Sequence, residues 1–101
     1  MNLTGQTVYQ NGQKRTKGNK PTRAQRERWE RIRALGCSIC GAPAEVHHAL
    51  TGAGKRKNHD KVFPLCLLHH RGQLGIHHMG RKAWEPLFST EQEHLDRVKD
   101  I

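Results

Sequence analysis

The residues able to do chemistry crowd into one stretch, from Cys37 to His77, which holds all three cysteines and six of the eight histidines. A closed structural zinc site takes four Cys or His ligands, and its usual source is paired ligands close together on a tight turn. Cys37 and Cys40 make one such pair. Cys66 and His69 repeat the same spacing and complete a Cys₃His set. His47, His48, His70 and His77 are then surplus, which implies two metal sites rather than one. Incidental core histidines explain the pattern less well, because His47-His48 and His69-His70 arrive as adjacent pairs.

The elements that must position these groups follow from local signals. Thr22 with Gln25 three residues on reads as a capping box, and Trp29, Ile32 and Leu35 fall on one side of the helix that follows. Gly36 is placed to end it. Arg23, Arg26, Arg28, Arg31 and Arg33 cover the rest of that helix, where they suit a phosphate backbone and a solvated face equally. Glu45 to Leu50 and Val62 to Leu65 are short β-permissive runs that pair as a hairpin around the Thr51 to Asp60 loop. That loop carries Gly52-Ala53-Gly54 and then Lys55, Arg56 and Lys57. Pro64 has no N–H for a ladder and confines its strand to an edge or a terminus.

A helix opens at about Cys66 and is interrupted by Gly72 and Gly75. The seven-residue step from His70 to His77 equals two helical turns and would put both on one face. Trp84, Leu87 and Phe88 are expected to cover the core from the C-terminal side, with Trp84 packing rather than stacking on nucleic acid. Thr90 and Glu93 form a second capping box with acids in the first turn, and Leu95 and Val98 make the apolar side of a last helix that reads as a structural brace.

Composition limits what else the chain can be. At 101 residues it is one small domain, and with 34% hydrophobic residues and a mean hydropathy of -0.88 its core is thin enough to need a staple such as a metal. Net charge is +9 and unevenly placed: residues 1 to 36 carry nine Lys/Arg against Glu27 and Glu30, a net +7, while Arg97 and Lys99 face five carboxylates from Ala83 onward. A basic half beside a metal-binding core points to nucleic acid rather than membrane, since no amphipathic apolar face accompanies the charge. Residues 1 to 20 are polar and basic and read as a flexible arm in which Lys14, Arg15, Lys17 and Lys20 contact DNA, together with Lys55, Arg56 and Lys57. Residues 21 to 101 read as the single folded domain. The odd number of cysteines and the absence of an apolar run after Met1 argue against a secreted disulfide framework and for a reducing cytoplasm. No stretch approaches the roughly 18 apolar residues of a membrane span.

The order CxxC, His-His, a Gly/Lys loop, then Leu-Cys-x-x-His-His resembles the HNH (ββα-metal) endonucleases over about residues 37 to 82. More narrowly, Pro64-Leu65-Cys66, His69-His70, Gly75-Ile76-His77 and Gly80-Arg81-Lys82-Ala83-Trp84-Glu85 are similar to the phage recombination-enhancement (Ref) nucleases, a RecA-dependent family. The resemblance implies an α+β fold, a small zinc-stapled ββα-metal core flanked by N-terminal and C-terminal helices. It also implies a DNA endonuclease or nickase, a RecA-type recombinase filament as partner, and a phage-encoded protein working in a bacterial cytoplasm. By the same resemblance His47 is a metal ligand, His48 the general base and His70 a second ligand; His77 is read as the third. Imidazole ligands accept Mn²⁺, Ni²⁺ and Zn²⁺ readily and Mg²⁺ poorly. Where such enzymes commonly carry an asparagine that orients the base, this chain has Asn58-His59-Asp60-Lys61; Asp60 is the first substitute, ahead of Asn58 and His59. The competing readings are a non-catalytic zinc module that binds DNA or a recombination protein, and a phage junction-resolving nuclease.

Overall fold

The computed structural model describes residues 19–50 and 58–101. Within them the chain runs α1 (Arg23–Ala34), β1 (Glu45–His48), β2 (Val62–Leu65), α2 (Leu67–His70), α3 (Ile76–Met79), α4 (Arg81–Phe88) and α5 (Glu91–Val98). The architecture is α+β, five helices around a two-stranded antiparallel sheet among the described residues. Of the basic residues expected on DNA, Lys14, Arg15, Lys17, Lys55, Arg56 and Lys57 lie outside the described residues, and Lys20 is exposed.

Helix α1 starts where its capping pattern dictates. The Thr22 hydroxyl accepts the Gln25 N–H and the Gln25 side chain accepts the Thr22 N–H, which satisfies two of the donors a helix start leaves open. It ends at Gly36, whose φ is +85°; a Cβ there would stand 2.6 Å from the Gly41 carbonyl oxygen, so the turn into the Cys37 loop needs glycine. Ile32 is fully buried and Trp29 packs against the core. Leu35, expected beside them, is 54% exposed, because it is the C-cap residue where the chain turns away at Gly36.

The strands pair in the register Glu45↔Leu65, Val46↔Pro64, His47↔Phe63 and His48↔Val62. β1 stops at His48 rather than running to Leu50. The Leu50 N–H is taken by the Glu91 carboxylate at 2.9 Å instead of a ladder partner. Pro64 sits on an edge as its missing donor requires, and its carbonyl accepts the Ser38 N–H at 2.9 Å, so the Cys37 loop lies along that edge. All four residues of β2 are buried, and Val62, Phe63 and Leu65 meet Ile32, Ile76, Trp84 and Val98 in the core.

The C-terminal helices close the core only partly as expected. Trp84 is fully buried with its indole N–H on the Leu74 carbonyl at 2.9 Å, and Phe88 packs beside it. Leu87 is 64% exposed, since it lies about 100° around α4 from Phe88. Thr90 and Glu93 form the second capping box. Arg28 leaves the solvated face of α1 to bind the Val98, Ile101 and Asp60 carbonyls, which ties the end of α5 to α1. No helix among the described residues is long and apolar enough to cross a membrane.

Reading α5 as a brace is incomplete, because Glu91 and His94 are both fully buried. His94 stacks on Phe63 at 4.9 Å. Its Nε2 faces the Phe88 carbonyl at 2.6 Å; a carbonyl only accepts, so Nε2 carries the proton and Nδ1 accepts from Ser38 and Arg97. Burial first, and the Arg97 charge with it, hold His94 below the usual imidazole value of 6.5. The unfolded chain therefore binds this proton more readily than the folded one. The resulting stability is complete above the ordinary value and is lost as pH falls below it. The melting midpoint of zinc-loaded protein is expected to drop as pH falls below about 6.5, and less steeply in His94→Gln. Equal slopes in the two proteins would remove His94 as the cause.

Candidate metal centres and the adjacent histidine pair

Cys37, Cys40, Cys66 and His69 come together with all four ligand atoms within 4.8 Å of one another. Two local structures deliver them. The turn after α1 presents Cys37 and Cys40, held by Cys37 N–H to Ala42 and Gly41 N–H to Cys37. Cys66 is the N-cap of α2 and His69 lies in the single turn that follows. The Cys40 and Cys66 sulfurs are 3.7 Å apart, far beyond the roughly 2.05 Å of a disulfide and close to the about 3.8 Å edge of a tetrahedron with Zn–S bonds of about 2.3 Å. The Cys37 sulfur lies 3.8 Å, and that of Cys66 3.2 Å, from His69 Nδ1. The cluster is compatible with a structural metal such as zinc.

The charge pattern suits a cation. Burial pushes the Cys37 thiol up, but the backbone N–H groups of Cys66, Cys40 and Ile39 outweigh it and bring Cys37 below its usual value. Burial raises Cys66, and the neighbouring Cys40 and Cys37 sulfurs raise it further. Crowding by the Cys37 sulfur is what a bound cation would relieve.

His47, His70 and His77 form a second set, again with one ligand atom each inside 4.8 Å. Their ring centroids are 5.0 Å (His47 to His70), 5.0 Å (His47 to His77) and 4.7 Å (His70 to His77) apart. His70 and His77 do not share a helix: α2 ends after His70 and α3 begins at Ile76. Gly75 makes the close turn between them, where a Cβ would stand 2.6 Å from the His70 carbonyl group.

Protons on the buried rings are set by their partners. His47 Nε2 lies 2.8 Å from Glu91 Oε2 with both side chains at 0% exposure; the carboxylate accepts, so Nε2 donates and the lone pair is on Nδ1. That Nδ1 is buried with no hydrogen-bond partner. A buried, unsatisfied imidazole nitrogen in a cluster of imidazoles is what a metal ligand looks like without its ion, so these residues fit a divalent cation. His70 Nδ1 likewise donates to Glu45, which also takes a two-point contact from Arg71 at 2.9 Å and 2.9 Å. Burial is the main cause holding His47 and His70 below the usual imidazole value, against the pull of Glu91 and Glu45. Burial works to raise Glu45, but Arg71 and then His70 bring it net below the usual carboxylate value.

His48 faces a different neighbourhood, as strand alternation requires of adjacent residues. Its ring meets Trp29 edge-on at 5.2 Å, and its Nε2 lies 2.9 Å from His59 Nδ1. The His59 Nε2 in turn lies 2.6 Å from the Asn19 carbonyl. Because that carbonyl only accepts, His59 Nε2 carries a proton, His59 Nδ1 accepts, and His48 Nε2 donates. The proton-accepting lone pair of His48 is then on Nδ1. Trp29 donates its indole N–H to the His59 carbonyl at 2.9 Å, so α1 holds both rings.

Asp60 is exposed, and its carboxylate accepts from the Gln25 side chain at 3.0 Å; the acceptor for His48 Nε2 is His59, expected only behind Asp60. Glu45, Arg71, Glu91 and Trp29 were not singled out as site residues. Glu45 was within reach of sequence reasoning, since it lies two residues from His47 on one strand and so on the same face. Comparison with protein-family models, curated proteins and solved structures finds no match to this chain.

Proposed function

We propose that the chain is a metal-dependent DNA endonuclease or nickase, with β1, β2 and α2 as a ββα-metal core of the HNH type and Cys37, Cys40, Cys66 and His69 as its zinc staple. The observation that carries this reading is the convergence of His47, His70 and His77, one residue along β1 from a histidine whose partner presets its tautomer. A zinc module that only binds needs four ligands and has no use for a second imidazole cluster.

His47, through Nδ1, with His70 and His77 would hold the divalent ion, Mn²⁺, Ni²⁺, Zn²⁺ or Mg²⁺. When bound, that ion supplies charge stabilisation to the scissile phosphodiester and its leaving 3′ oxygen. His48 Nδ1 takes a proton from the attacking water. His59 keeps the other nitrogen of His48 protonated, so that the basic atom is always the same one. Burial keeps His47 neutral and able to donate a lone pair. Metal analysis of purified protein, paired with plasmid nicking on single-stranded, duplex and RecA-coated DNA, tests the proposal. Protein that carries a second equivalent of metal beside zinc and nicks DNA supports it; cleavage that needs the recombinase filament assigns the RecA-type partner as well. No cleavage on any substrate with both sites loaded would favour the binding module.

The basic arm is proposed to supply affinity without taking part in chemistry. Removing residues 1–18 spares the Asn19 carbonyl that holds His59 and removes Lys14, Arg15 and Lys17. The slope of log affinity against log salt is expected to flatten by about 0.9 per lost contact on duplex DNA, or about 0.7 on single strands, uniformly across sequences. Cleavage at saturating enzyme and low salt should survive. Identical slopes between about 50 and 200 mM salt would mean that the arm does not touch DNA.

A further inference from the structure

The side chain of Glu91 is fully buried. Its oxygens accept from His47 Nε2 at 2.8 Å and from the Leu50 N–H at 2.9 and 3.0 Å. Its own backbone N–H donates to Glu85 Oε2 at 2.8 Å. Placing a carboxylate at 0% exposure is costly unless its acceptors are used, and here one peptide N–H meets both oxygens while an imidazole meets one. The Leu50 contact fixes the rotation of the carboxylate. That rotation aims Oε2 at His47 and leaves His47 Nδ1, the orphaned atom, directed away from it.

We infer that Glu91, delivered by α5, is the positioning residue of the imidazole metal site: it fixes the tautomer and ring orientation of His47 so that Nδ1 is ready to bind the ion. This rests on the reading of His47, His70 and His77 as a metal site and adds to it a residue from the C-terminal helix. Glu91 touches neither the ion nor substrate. It acts through His47, and it also ties the chain just past β1, at Leu50, to the same carboxylate. The arrangement is unequal between ligands: His70 leans on the half-exposed Glu45, which is shared with Arg71, whereas His47 has a carboxylate sealed from water.

Cobalt(II) titration of zinc-loaded protein, read by its visible d–d absorption, tests the inference without any use of cleavage. Wild-type protein should take up one cobalt at the imidazole site, and Glu91→Ala should bind it about 10 to 100 times more weakly. Zinc content and circular dichroism should remain those of the wild type. Glu91→Gln, which keeps an oxygen acceptor at the same place, should fall between the two. Should Glu91→Ala fail to fold, folded Glu91→Gln decides: weakened cobalt binding supports the role and wild-type affinity overturns it. Unchanged affinity in Glu91→Ala overturns the inference alone. Failure of the wild type to bind cobalt overturns the metal-site reading and this inference together.

Discussion

Cys40→Ser is expected to leave the protein unfolded and short of about one equivalent of zinc. Structural zinc sites of this kind contribute an apparent 10 to 16 kcal/mol or so near neutral pH, as large as the roughly 5 to 15 kcal/mol total stability of an ordinary domain. The core here has little to set against that loss: its fully buried side chains are few, and Leu67, Leu68, Leu74 and Leu87 stay exposed. The four ligands also join parts of the chain that no strand pairing connects, the turn after α1 to the start of α2. Cys40 is the exposed member of the set, so serine there costs little in packing and the effect reports metal binding. Metal content by mass spectrometry and far-ultraviolet circular dichroism are the readouts. A folded protein with full metal content would rule the zinc staple out.

His48→Ala is expected to slow strand cleavage by about 10² to 10⁴, the equivalent of roughly 2.7 to 5.4 kcal/mol of transition-state stabilisation. Fold, metal content and DNA affinity should stay near those of the wild type, because His48 packs on Trp29 and His59 and belongs to neither four-ligand nor three-ligand cluster. His70→Ala and His77→Ala should instead lose metal from the imidazole site. Plasmid nicking rates and metal analysis across these variants separate the roles. Normal cleavage by His48→Ala with a dead His47→Ala would exchange the two assignments.

Much of the local structure was legible in the residues. The two capping boxes, the stop at Gly36 and the strand over Val62–Leu65 follow from rules that involve neighbours within a few positions. The exposure of Leu35 and Leu87 was not, because a helix shows which residues share a side but not how far the covering surface extends. The gathering of Cys37, Cys40, Cys66 and His69 was anticipated from spacing, since two short turns that each carry a ligand pair have few other uses.

By itself the sequence determined that this is a small, basic, histidine-rich chain with more cysteines and histidines than one metal site needs, because composition and short-range spacing are properties of residue types. Only the tertiary structure decided which protons sit where. Glu91 lies 44 positions from His47, and His59 reaches His48 from within the hairpin loop with Asn19 behind it. No local pattern marks such contacts; they exist because α5 packs on β2 and α1 packs on both strands. The surplus histidines were therefore visible as residues, while the placing of the lone pair on Nδ1 in both His47 and His48 follows from the buried carboxylate and the imidazole that the fold sets against them.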